Sequence, residues 1–167
     1  EKNMNDIIKN MSTKYPEIPL VSPTANELGL SDLGSSIYQI NQPLGLNGQI
    51  LADNIKPCVS DVKVTIKSIA LISSKKQMDR RELEEFSIRA NSLGYEVSPI
   101  WEIDESEPNH RAIFDSMAVF YDKKIPDAIV VSVSTVGGAS SMVRQIRFHK
   151  HEGQVLALGK GWQDKRL

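Results

Sequence analysis

Only one cysteine, Cys58, occurs in the 167 residues, so no intrachain disulfide can form and a thiolate-rich zinc site cannot be built from this chain alone. That scarcity points to a reducing, cytoplasmic setting. No apolar run approaches the roughly 20 residues that span a bilayer, and no basic start followed by an apolar stretch marks a signal peptide. Nothing in this stretch therefore suggests membrane contact. The chain opens on Glu1 rather than methionine, which is compatible with a preceding segment. Charge of one sign is also missing: the formal net charge of -1 leaves no general positive field, so any nucleic-acid contact has to come from a local patch. The content of 40% hydrophobic and 25% charged residues is that of a folded globular chain.

Residues 1–60 read as an arm or irregular subdomain. Met4, Ile7, Ile8 and Met11 recur at helical spacing before Pro16 and Pro19. Thr24 with Glu27 fits a capping box, and Asn47-Gly48 between Leu46 and Ile50 fits a tight hairpin turn. Gly29, Gly34, Gly45 and Pro43 interrupt any longer element.

Residues 61–167 are regular. Val62, Val64 and Ile66 alternate with polar residues and lead into Ile69 to Ile72, a strand buried on both faces in its second half. Leu83, Phe86, Ala90 and Leu93 mark one helix face, with Asp79, Glu82, Glu84 and Glu85 set to complement the helix dipole and Gly94 to end it. Tyr95 to Ile103 is a second strand. Asn109 caps a second helix carrying Ile113, Met117, Phe120 and Tyr121, and Ala128 to Val133 is a strand apolar enough to be central. Ser134 to Ser141 reads as a loop, Met142, Val143 and Ile146 as a third helix, and Gln154 to Leu158 as a fourth strand. The alternation predicts an α/β domain: an open, mostly parallel sheet of at least four strands with helices on both faces, Rossmann-like and three-layered.

In such a sheet ligands bind outside the carboxyl ends of the strands. Ser73, Ser74, Lys75, Lys76, Asp104, Glu105, Gly159, Lys160 and the stretch Ser134-Thr135-Val136-Gly137-Gly138-Ala139-Ser140-Ser141 fall there. Glycines let backbone N–H groups approach an anion, and a following helix adds positive potential. The ligand candidates are thus Ser73, Lys75, Ser134, Thr135, Gly137, Gly138, Ser140 and Ser141, although the P-loop lysine and the dinucleotide spacing are both missing. A strand-to-helix loop with no ligand is the plainer reading of the same residues. Asp104, Glu105 and Glu107 read as a solvated turn, and His149 and His151 stand two apart, the wrong spacing for one helix face. No metal site and no cofactor are expected. The C-terminal part is basic: Arg144, Arg147, Lys150, Lys165 and Arg166, with Trp162 interleaved, fit a surface for RNA or single-stranded DNA. The competing reading is a solvated helix face with a packed tryptophan.

Leu93-Gly94-Tyr95-Glu96-Val97, Asp115-Ser116-Met117, Phe120-Tyr121, Asp127 to Ser132, Val143-Arg144 and Gly153 to Gly159 follow one another as in the NYN family of PIN-like nucleases, which this stretch resembles. The resemblance implies a carboxylate cluster holding divalent metal. Here Ser73 or Ser74 stands in the region of the first-strand aspartate, Asn109 replaces the first helix acid, and Ser134 to Gly138 replaces the acidic loop; Asp115 alone carries over as a catalytic candidate. Ile69 to Gln77 also resembles the nucleophile strand of serine recombinases, with Ser73 in the serine's place. There too the stabilising arginines are absent, with Leu71, Val136 and Ala139 where they would stand. The leading expectation is a noncatalytic PIN/NYN-like module binding nucleic acid or a protein partner. The alternatives are a phosphate-ligand or nucleotide-binding enzyme domain using residues 134–141, and a scaffold domain that forms homo-oligomers through its N-terminal arm.

Overall fold

A computed structural model describes residues 4–22, 30–40, 42–59, 65–107 and 109–163. The chain divides into two compact units, Glu1–Leu46 and Asn47–Leu167. The sequence reading set its boundary near residue 60; the units meet at 46/47 because the helix that follows belongs with the sheet. Thr24, Glu27, Gly29, Val62, Val64, Lys165, Arg166 and the Cys58 side chain lie outside the described residues.

In the first unit, helix α1 (Met4–Lys14) precedes two short parallel strands, β1 (Leu20–Ser22) and β2 (Ile37–Gln39), with a 3-10 turn at Leu30–Leu33 between them. Ile8, Leu30 and Ile37 close a small core of their own.

The second unit opens with α2 (Leu46–Val59), where the sequence suggested a hairpin at Asn47-Gly48. The helix forms because Ala52 and Ile55 are buried against the sheet's core, and because Gly48 lets α2 lie directly on the next helix: a Cβ there would sit 1.9 Å from Glu82 O. Strand β3 (Ser68–Ser74), α3 (Gln77–Ser92), β4 (Glu96–Ile103), α4 (Arg111–Phe120), β5 (Ala128–Ser132), α5 (Val136–Phe148) and β6 (Gln154–Leu158) follow, with a last 3-10 turn at Lys160–Trp162. The sheet order is β4-β3-β5-β6, and every pairing is parallel. The predicted α/β class and layering are those observed.

Period-two alternation on fully buried strands makes the three layers. Ile69, Leu71, Ala128 and Val130 face Leu83, Phe86 and Ala90 of α3, whereas Ala70, Ile72, Ile129 and Val131 face Phe114 and Met117 of α4 and Met142 and Ile146 of α5. Each such Val, Leu, Ile, Met or Phe side chain contributes about 1.5–3 kcal/mol by leaving water. Pro99 is tolerated because β4 is an edge strand; the register shifts between Ile69 and Leu71, and the Ser98 hydroxyl accepts the Leu71 N–H at 3.0 Å there.

Candidate functional site

The strand order reverses at β3. α3 leaves β3 toward one face and α5 leaves β5 toward the other, so the carboxyl ends of these neighbouring strands frame a crevice. Buried α3 carboxylates tie its floor together. Asp79 Oδ2 accepts the Ser74 hydroxyl at 2.5 Å and the Ser134 hydroxyl at 2.6 Å. Glu82 accepts the Ser132 hydroxyl at 3.3 Å and the Asn47 amide at 3.0 Å, and Glu85 accepts the Gln49 amide at 3.0 Å and pairs with Arg81 at 2.9 Å. Asp79, Glu82 and Glu85, which charge patterning placed as complements to the helix dipole, are buried. Their spacing held the signal: Asp79 and Glu82 stand in helical register with Leu83, Phe86 and Ala90.

The predicted loop at 134–141 is mostly helix. The connection from β5 is only Val133 to Thr135, and Thr135 caps α5 by accepting the Gly138 N–H on its hydroxyl at 3.0 Å. The N–H groups ahead of this helix, which the sequence offered as a seat for an external anion, are taken by a side chain of the chain itself. Glu105 Oε1 accepts the Ser134 N–H at 2.8 Å and the Thr135 N–H at 3.2 Å, while Lys76 Nζ stands 3.6 Å from Oε2. Gly138 makes room: a Cβ on it would lie 2.8 Å from Glu105 Oε1 and 3.0 Å from Cδ. The Glu105 side chain is only 12% exposed, so it is not part of a solvated turn.

Its neighbour Asp104 accepts the Ser106 hydroxyl at 2.6 Å and the Ser106 N–H at 3.0 Å, and pairs with Lys75 at 3.3 Å. The Ser106 hydrogen bonds, and then Lys75, hold the Asp104 carboxyl down to about 2.

These groups wall an open cavity of about 410 Å³ lined by Ser74, Lys75, Lys76, Ile103, Asp104, Glu105, Ser106 and Thr135. Of the sequence candidates, Lys75 and Thr135 line it. Ser73 lies beneath, its hydroxyl donated to Ser74 O at 2.8 Å, and Ser134 is held by Asp79 and Glu105. Gly137, Gly138, Ser140 and Ser141 are in the first turns of α5, with Gly138 under Glu105 and the two serines half-buried away from the cavity. Ser74, Lys76, Asp104 and Glu105 were placed at the carboxyl edge by the sequence but not taken as ligand candidates, and Ser106 was not placed there, because only the sheet order brings the turn after β4 against the start of α5.

Asp115 does not join this edge. It is exposed on α4, 3.6 Å from Arg111, beside a smaller cavity of about 180 Å³ that His149 and His151 also line. Among the described residues no group of three His, Cys, Asp or Glu side chains is placed to hold a metal ion. On the basic stretch Phe148 is exposed, whereas Trp162, His149 and Arg147 are engaged within the fold. The Trp162 indole N–H donates to Val131 O at 3.1 Å and packs on the core, His149 stacks on Phe114 at 4.4 Å, and Arg147 donates to His151 O at 3.2 Å. Arg144 is exposed on α5, and Lys150 follows the helix with φ of 56°.

No family model matches the chain, and no curated protein matches it significantly in sequence. Solved structures do resemble it. The leucine-binding protein LivK from Thermotoga maritima superposes with a TM-score of 0.61 at 16% identity, over 94% of this chain and 41% of that one. A putative branched-chain amino acid ABC transporter protein from Silicibacter pomeroyi gives 0.62 at 14% identity, over 92% and 34%. An ABC transporter solute-binding protein from R. palustris in complex with benzoate gives 0.58 at 14%, over 90% and 39%. At these identities the likeness establishes the fold, and the chain spans between 34% and 41% of the length of these three proteins.

The likeness corrects several expectations. The neighbours are solute-binding proteins, not PIN/NYN nucleases or serine recombinases, so the recognition does not stand. The matched residues were shared punctuation of β-α-β units: Gly94 turns the chain at φ of 88°, and Asp127 binds the backbone of Lys67 and Ser68 at the amino end of β3, away from the carboxyl edge. RNA or single-stranded DNA as partner falls with it, since Trp162 is occupied and the neighbours bind small molecules. The phosphate or nucleotide enzyme fails because residues 136–141 are helical and Glu105 fills the N–H groups ahead of them. The scaffold with a dimerising arm fails against the same solute-binding neighbours. The cytoplasmic placement, which rested on the single cysteine, is also set aside, because the fold neighbours are solute-binding proteins of ABC transporters and not the nuclease family.

Proposed function

We propose that residues 47–167 form a lobe that binds a small organic solute, within a protein of the solute-binding type. The observation that carries this reading is the cavity of about 410 Å³ at the strand-order reversal, whose walls are small hydroxyls and paired charges at strand ends and in the turns that follow them. Its floor is fixed by the Asp79 hydrogen bonds, so polar groups meet a solute without first being ordered. Fold likeness to proteins named for leucine and crystallised with benzoate supports the reading and supplies the solutes to try first.

Titration calorimetry of the full chain with branched-chain amino acids and benzoates tests it. Saturable binding of at least one solute is expected, weakened at least about tenfold by Lys75→Ala or Asp104→Ala, the loss that goes with one charge-assisted hydrogen bond. No binding across the panel, or binding indifferent to both variants, would count against the reading.

A further inference from the structure

We propose that Glu105 sets the charge preference of this cavity by holding the anion seat at the start of α5 against anions from solution. The inference rests on the cavity being the solute site and adds which of its residues decides what charge a solute can present there.

The seat is demonstrated by what occupies it. A carboxylate from the turn after β4 crosses to α5 and takes both free N–H groups of the β5 connection, at 2.8 Å and 3.2 Å. Lys76 approaches the other oxygen at 3.6 Å, and the side chain, 12% exposed, sits in the cavity wall rather than in solvent. Backbone N–H groups bound to an ionised acceptor are among the stronger hydrogen bonds in proteins, and a second anion in the same space would face Glu105 and Asp104 together. A solute anion is therefore excluded from the two N–H groups that Glu105 holds at the cavity wall. The approach is specific, since Gly138 alone leaves room for the Glu105 carboxyl over the first turn of the helix.

The test uses sulfate as the probe and the Ser134 and Thr135 amide resonances of the ¹⁵N-labelled full chain as the readout. Glu105→Ala empties the seat, and Glu105→Gln removes the same charge while keeping an oxygen on the two N–H groups. Sulfate should shift both amides saturably in Glu105→Ala, with affinity at least about tenfold above that of wild type and of Glu105→Gln, as expected for regaining charge-assisted hydrogen bonds. Adding Gly138→Ala to Glu105→Ala should abolish the gain, because its Cβ would stand 2.8 Å from the position of the vacated Oε1. If Glu105→Ala does not fold, Glu105→Ser empties the seat with the same expectation. Equal sulfate binding in the Ala and Gln variants, or a gain that survives Gly138→Ala, would overturn the inference. Solute binding by the wild-type chain tests the reading of the cavity separately, so either can fail without the other.

Discussion

Ser134 and Asp79 are joined by a hydroxyl donated to Oδ2 at 2.6 Å, and the same oxygen takes the Ser74 hydroxyl at 2.5 Å. One carboxylate on α3 thereby fastens the ends of β3 and β5. Asp79→Ala leaves the buried Ser74 hydroxyl without its acceptor, and a loss of about 1–3 kcal/mol is expected in urea unfolding. Asp79→Asn, which retains a carbonyl acceptor, should lose less.

Asp127 performs a similar task at the opposite end of the sheet. Its Oδ2 accepts the Lys67 N–H at 2.8 Å, the Ser68 N–H at 2.9 Å and the Ser68 hydroxyl at 3.0 Å. Burial pushes this carboxyl up, but the hydrogen bonds from Ser68 and Lys67 outweigh it and hold it below the ordinary 3.8. Its contribution is thus present above 3.8 and lost as the pH falls through its lowered folded value. Asp127→Ala should cost about 1–3 kcal/mol at pH 7 and proportionally less under strong acid, as read from denaturation at both pH values.

Two histidines give the range from pH 7 to 5 its slope. Burial lowers His151 below the ordinary 6.5, helped by Arg147, and burial lowers His110 despite Glu107 and Asp104. The unfolded chain then binds these protons more readily than the folded one, so stability is fully present above 6.5 and falls as the pH drops below it. The melting temperature of the wild type should decline more steeply between pH 7 and 5 than that of a His110→Gln, His151→Gln double variant. Parallel declines would show that neither histidine is responsible.

Gly48 is required by a close backbone approach rather than by a turn. A Cβ would meet Glu82 O at 1.9 Å and Phe86 N at 2.9 Å, both main-chain atoms of α3. Gly48→Ala should destabilise the second unit by at least about 1–3 kcal/mol despite alanine's higher helix propensity, measured by chemical denaturation. A stabilised variant would mean that α2 does not lie on α3 in this way.

The sequence alone was enough for the layered α/β core, because its signals are local. Ile69 to Ile72 and Ala128 to Val133 are too apolar for anything but strands covered on both faces, and the helix between them shows its buried side in Leu83, Phe86 and Ala90. Lys75 and Thr135 could be placed at the carboxyl edge for the same reason, since the alternation of strands and helices implies that edge. Tertiary structure decided the rest. Pro43, Gly45 and Gly48 argued against a long element, but burial of Ala52 and Ile55 makes α2 a helix. The polar small residues 136–141 looked like a loop, but Thr135 caps a helix through them. Asp104 and Glu105 had the pattern of a solvated turn, and no local rule reveals that the order β4-β3-β5 carries that turn over to α5. Strand order is fixed by packing between segments distant in sequence, so the partner of Glu105, 29 residues away at Ser134, exists only once the sheet has assembled.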